Sequence, residues 1–150
     1  MSDRYRLQRA QTLERIAVRA EERALAAVVA ADRCVALGAE LEAERAVHLA
    51  QLGAWTIGSA AELIGRRELA RLRLAALSQA TTERQAAELK AVEVRAEALQ
   101  RRVERQMFER LAGRQEQAWA SALATAEELV LVDALTHRVA TPTTDHLGES

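Results

Sequence analysis

The sequence predicts an all-α protein, a long antiparallel two-helix coiled-coil hairpin whose second helix is longer than its first. Three observations predict it. Alanine, leucine, arginine, glutamate and lysine fill 92 of the 150 positions, a share typical of long helices and coiled coils. Proline occurs once, at Pro142, so nothing earlier in the chain is barred from a helix by a missing N–H or a locked φ. Two glycines, Gly53 and Gly58, interrupt an otherwise continuous helical pattern. The same composition excludes β-sandwiches, disulfide scaffolds and low-complexity disordered chains.

The first helix is expected over about residues 3–52. From Leu13, small or apolar residues recur at alternating steps of four and three: Ala17, Ala20, Ala24, Ala27, Ala31, Cys34, Gly38 and Leu41. A run of that length exceeds what a coiled-coil assignment asks. Most of these positions are alanine, so a partner helix can come close while each layer buries little area. Leu25, Val28, Val35 and Leu37 flank the seam and widen it. The frame turns polar at Arg45 and His48 before Leu52, and polar seam residues set register at some loss of stability. Cys34, on this seam, reads as a small buried hydrophobe whose apolar surroundings keep the thiol inert.

Residues 53–58 form the expected loop. Ser59-Ala60-Ala61-Glu62 follows as a capping box, in which the Ser59 hydroxyl accepts from the Glu62 amide and the Glu62 carboxylate from the Ser59 amide. So short a connection between long helices favours an antiparallel hairpin. Trp55 and Ile57 either fold down over the hairpin end or stand out as a recognition tip.

The second helix is expected over about residues 59–140. Leu63, Ala70, Leu74 and Leu77 give its first seam, and Leu89, Val92, Ala96, Leu99 and Val103 the next. Val103, Met107 and Leu111 then fall at two steps of four, a stutter that shifts the apolar stripe. Ala118, Ala122, Thr125, Leu129, Val132 and Val139 restore the rhythm. Gly113 is the weak point, about 1 kcal/mol worse than alanine inside a helix. Thr141-Pro142 ends the helix, and residues 141–150 are expected to be a flexible tail of this single domain.

Helices of those extents would run roughly 75 Å and 120 Å at 1.5 Å per residue. Everything beyond about Phe108 therefore overhangs the first helix. Yet it carries Leu111, Trp119, Leu129, Val132 and Leu135, and each large side chain gains ~1.5–3 kcal/mol from full burial. Either the second helix bends at Gly113 into a three-helix bundle, or another chain covers this end.

The 21 basic and 22 acidic residues nearly cancel, without the positive excess of a general nucleic-acid binder. One cysteine cannot form an internal disulfide, so the chain reads as intracellular. No signal peptide is expected, and the longest apolar run, residues 24–31, is far too short to span a membrane. Gly53-x4-Gly58 is followed by Ser59-Ala60, where a P-loop needs lysine and a hydroxyl residue. His48, His137 and His146 lie far apart with no ligand at metal spacing, and His48 reads as a packed or register-setting residue. No cofactor is called for, and thin helices rarely enclose the pocket that small-molecule catalysis uses. Two basic stretches remain: Arg66, Arg67, Arg71 and Arg73, then Arg101, Arg102, Arg105, Arg110 and Arg114. They read as solvated faces with pairs such as Glu62–Arg66 and Glu97–Arg101, or as a surface for an acidic protein partner.

Several short stretches carry a family resemblance. Tyr5-Arg6-Leu7-Gln8-Arg9 with Arg19-Ala20-Glu21-Glu22, then Phe108-Glu109-Arg110-Leu111, then Glu128 with Asp133-Ala134-Leu135 and Arg138, are similar to the FliJ/YscO family. These are stalk proteins of flagellar and injectisome type III export. The resemblance implies a coiled coil like the γ stalk of rotary ATPases, with terminal helices that enter the hexameric export ATPase and promote its assembly. It implies a loop half facing the export gate, with substrate chaperones as further partners. The place implied is the cytoplasm, peripheral to a membrane-embedded export apparatus but not inserted in the membrane. On that reading Met107, Leu111, Arg114, Trp119, Leu129 and Val132 contact the ATPase, and Trp55, Ile57, Leu69 and Leu72 face the gate. The rival expectation is a self-associating coiled-coil scaffold or adaptor with no ATPase partner.

Overall fold

The computed structural model describes residues 2–140, so the expected tail and the Thr141-Pro142 stop lie outside the described residues. Helix α1 runs Asp3–Gln51, a single 3₁₀ turn covers Leu52–Ala54, and helix α2 runs Ala60–Ala140. With 81 residues against 49, α2 is the longer. The antiparallel sense follows from the cross-helix bonds: Arg73 reaches His48, Arg84 reaches Glu42, and Arg95 reaches Asp32. Partner numbers fall on α1 as they rise on α2.

The turn is built nearly as the glycine and serine pattern predicts. The Glu62 amide donates to the Ser59 hydroxyl at 3.2 Å, satisfying one of the orphan donors at a helix start. The Glu62 carboxylate accepts from the Gly58 amide at 2.7 Å, one residue earlier than a standard capping box has it.

Contacts divide the chain into two units, Val18–Glu104 and the chain up to Ala17 with that from Arg105 onward. In the unit containing the turn, α1 buries Ala24 and Ala31 and the 3₁₀ turn buries Leu52, with Val28, Val35, Gly38, Glu42, Arg45 and Leu49 half-buried between them. Opposite them α2 buries Ala80, Ala91, Val94 and Ala98, interleaved with half-buried Arg73, Leu77, Arg84, Ala87 and Arg101. Both sets keep the four–three rhythm of a coiled-coil seam. Ala31, Ala91 and Val94 form its core, with Val28 and Val35 packed against them.

This seam corrects the sequence frame. On α1, Ala24, Ala31 and Gly38 hold their expected places, but the alternate positions fall one residue later. Val28 and Val35 turn inward, leaving Ala27 and Cys34 exposed. The swap favours the larger apolar side chain, which gains more by burial than alanine or a thiol. On α2 the correction is larger: Leu63, Leu74, Leu89, Val92, Leu99 and Val103 are all exposed. Where glycine and alanine line α1 the backbones run close together. A Cβ at Gly38 would sit 3.4 Å from the Arg84 Cα. Such a narrow gap admits alanine, or arginine, whose stem lies along apolar surface while its head stays at the edge. Arg84 does this, bonding Glu42 across the seam and Glu88 at 2.7 Å on its own helix.

The second unit repeats the pattern. Ala10, Ala17 and Ala112 are buried, with Leu7, Leu13, Phe108, Leu111, Gln115, Trp119 and Ala122 half-buried. Phe108, Ala112, Gln115, Trp119 and Ala122 keep the four–three spacing, so the expected stutter is absent and Met107 is exposed. Helix α2 continues through Gly113. Every residue from Leu123 to Ala140 is exposed, so no described residue folds back over this end.

Candidate functional site

The terminal stretch of α2 carries the strongest surface anomaly. Leu129, Val130, Leu131 and Val132 are consecutive and between 56% and 68% exposed. Successive residues of an α-helix turn by about 100°, so these four point apolar side chains around the full circumference. The run fills about one turn between Glu127–Glu128 and Asp133, and an exposed apolar turn of this kind gains from being covered. Leu123, Leu135 and Val139, also exposed, lengthen the band. The Thr125 and Thr136 hydroxyls donate back to the Ser121 and Val132 carbonyls at 3.0 Å and 2.7 Å, which removes two polar groups from the outer surface. Leu123, Ala126, Glu127, Val130 and Leu131 line a shallow open hollow here.

Of the residues expected at this end, Leu129 and Val132 lie in the band. Met107 and Arg114 are exposed on α2, while Leu111 and Trp119 are half-buried. Sequence reasoning missed Val130 and Leu131. A four–three frame selects only Leu129 and Val132, whereas the signal was the unbroken apolar run.

At the turn, Trp55 is 49% exposed and Ile57 and Leu72 are also exposed, while Leu69 is half-buried. The Trp55 amide donates to the Leu52 carbonyl at 3.3 Å, and buried Leu52, not the indole, closes the hairpin end. Trp55 and Ile57 keep part of their surface open to solvent beside it.

The basic stretches are partly paired. Glu97–Arg101 is present at 3.9 Å, with Glu104 a closer partner at 3.1 Å. Glu62–Arg66 is not formed, because the Gly58 amide holds the Glu62 carboxylate. Arg71 and Glu68 pair at 2.5 Å. The Arg71 hydrogen bond, and then its charge, hold the Glu68 carboxyl below its ordinary range and raise Arg71 in turn. Arg84 is raised by its hydrogen bonds to Glu42 and then Glu88. His48 is half-buried, 3.9 Å from Glu44, and its carbonyl accepts from Arg73 at 2.5 Å.

Among the described residues, no group of three His, Cys, Asp or Glu side chains gathers as metal ligands do. No described helix is long and apolar enough to cross a membrane. The arrangement belongs to the class of all-α helical hairpins with exposed apolar ends. Comparison with known protein families, curated proteins and solved structures finds no match to this chain.

Proposed function

We propose that the protein is a non-enzymatic coupling stalk of a type III protein export apparatus. In this reading the end of α2 inserts into the hexameric export ATPase, and the turn faces the export gate. The apolar band at Leu129–Val132 carries the proposal. A flat partner would cover one side of it, and a second parallel helix would cover one stripe. A ring surrounds the helix and removes the whole circumference from water. The resemblance to FliJ/YscO stalks points the same way, because their terminal helices are the part that enters the ring. Exposed Trp55 and Ile57 suit the gate-facing role, and substrate chaperones are further partners on this reading. The protein acts in the cytoplasm, beside the membrane-embedded apparatus.

The test is the ATPase rate of the cognate ring with and without this protein, together with co-purification of the two. Stimulation that is lost in Leu129→Ser/Val132→Ser is the expected result, and the hairpin of that variant melts unchanged because both side chains already face water. No stimulation and no co-purification would overturn the proposal. A stable dimer dissolved by the same substitutions would favour a self-associating scaffold.

A further inference from the structure

Every residue from Gly53 to Gly65 is exposed, and Glu62 is the only charged one among them. The segment carries Trp55, Ile57, Leu63 and Ile64, the last 69% exposed. So apolar a surface, in a chain that is 29% charged, marks a place that meets something other than water. Arginines follow at once. Between Leu52 and Arg73 stand four arginines and two glutamates, a net of +2, which leaves −3 for the rest of a chain whose total is −1. Glu68 is taken by Arg71 at 2.5 Å, and the Glu62 carboxylate is turned to the Gly58 amide. Arg66 and Arg67 have no carboxylate partner among the described residues.

We propose that this end of the hairpin docks end-on onto an anionic membrane surface, resting at headgroup depth without spanning it. Depth and direction select this occupant. Helix α2 begins at Ala60, so Ile64 lies ~6 Å, and Arg66 and Arg67 roughly 10 Å, along its axis. An apolar segment settles ~5–10 Å into the boundary between headgroups and acyl chains. At that depth Ile57, Leu63 and Ile64 leave water, and both guanidinium groups stand level with the phosphates. Tryptophan, present here as Trp55, is enriched in the same layer. An acidic protein patch fits less well. Ile64 and Arg66 are two residues apart on one helix and so point ~200° apart. A flat partner that meets one misses the other, whereas a bilayer closes around both. The proposal goes beyond the coupling-stalk reading and does not rest on it.

Co-sedimentation of the full chain with lipid vesicles tests this, and its failure leaves the ATPase measurement untouched because the vesicles carry no protein. The chain sediments with vesicles of mixed phosphatidylglycerol and phosphatidylcholine and stays in solution with phosphatidylcholine alone. Binding weakens as salt is raised. Arg66→Gln/Arg67→Gln weakens it about thirtyfold at low salt. Trp55→Ser/Ile64→Ser weakens it at least about tenfold, with helical circular dichroism unchanged because both side chains are exposed in the free chain. Leu129→Ser/Val132→Ser binds as the wild type does, which separates this end from the ring-inserting one. A wild type that ignores the mixed vesicles overturns the proposal in favour of an acidic protein surface. So does equal binding to phosphatidylcholine alone, binding that persists in both tip variants, or binding lost with Leu129→Ser/Val132→Ser.

Discussion

Val92 and Val94 carry the same side chain two residues apart, and the structure gives them opposite environments: Val92 is 61% exposed and Val94 7%. Replacing valine by alanine removes two carbons, about 1.6 kcal/mol of transfer free energy when fully buried at ~0.8 kcal/mol per CH₂. Val94→Ala forfeits nearly all of it, and Val92→Ala about 0.6 kcal/mol on the same scale. Both gain about 0.6 kcal/mol from alanine's better helix propensity. The net expectation is a loss of about 1 kcal/mol for Val94→Ala and about zero for Val92→Ala. A residual cavity beside Ala31 and Ala91 enlarges the first figure, because such short side chains cannot close it. Urea unfolding followed by circular dichroism at ~1 μM, dilute enough that association contributes little, separates the two variants. In thermal melts Val94→Ala falls by roughly 2–4 °C per kcal/mol. If Val92→Ala were the more damaging, the frame in which Leu89, Val92 and Leu99 face α1 would be right and the seam described here wrong.

Three further outcomes are expected. Ser59→Ala removes the acceptor for the Glu62 amide and lowers unfolding free energy by ~1 kcal/mol, measurable by urea titration. Cys34, free and exposed, reacts stoichiometrically with a thiol reagent in the folded protein; a thiol titrated only after denaturant would contradict the α1 register. Arg71→Ala returns the Glu68 carboxyl to the ordinary carboxylate range, as read by NMR titration. In the wild type that carboxyl is depressed, so whatever it adds to stability is present above the ordinary value and fades as pH falls through the depressed one.

The breaks of this fold were plain in the sequence and its seam only half so. Gly53, Gly58 and the Ser59–Glu62 cap are local signals, and they place α1, the turn and α2 within a residue of where they lie. The α1 seam kept Ala24, Ala31 and Gly38 because a seven-residue alternation of small residues survives either choice of neighbour. The α2 seam did not survive. Size drew the frame to Leu89, Val92 and Leu99, whereas closeness to an alanine-lined helix selects Ala91, Ala98 and arginine stems. That criterion depends on the distance between two backbones, which one strand of text does not contain. The terminal site was visible as an excess of apolar residues beyond the reach of α1. Its all-round character was obscured by reading Leu129–Val132 through a stripe.

The cross-helix bonds also order the assembly of the molecule in time. The residues they join are 25, 42 and 63 positions apart at Arg73–His48, Arg84–Glu42 and Arg95–Asp32. Closing a chain loop grows dearer in entropy with its length, though slowly, so the hairpin zips from the turn toward its termini. Each alanine layer adds only a small increment, and no single clasp locks the zipper. The layers of the terminal unit, where Ala10, Ala17 and Ala112 are buried, close the longest loops and so are the last to close and first to fray. The apolar end of α2 thus belongs to the part of the molecule that opens most readily, where a partner can seize it without disturbing the turn.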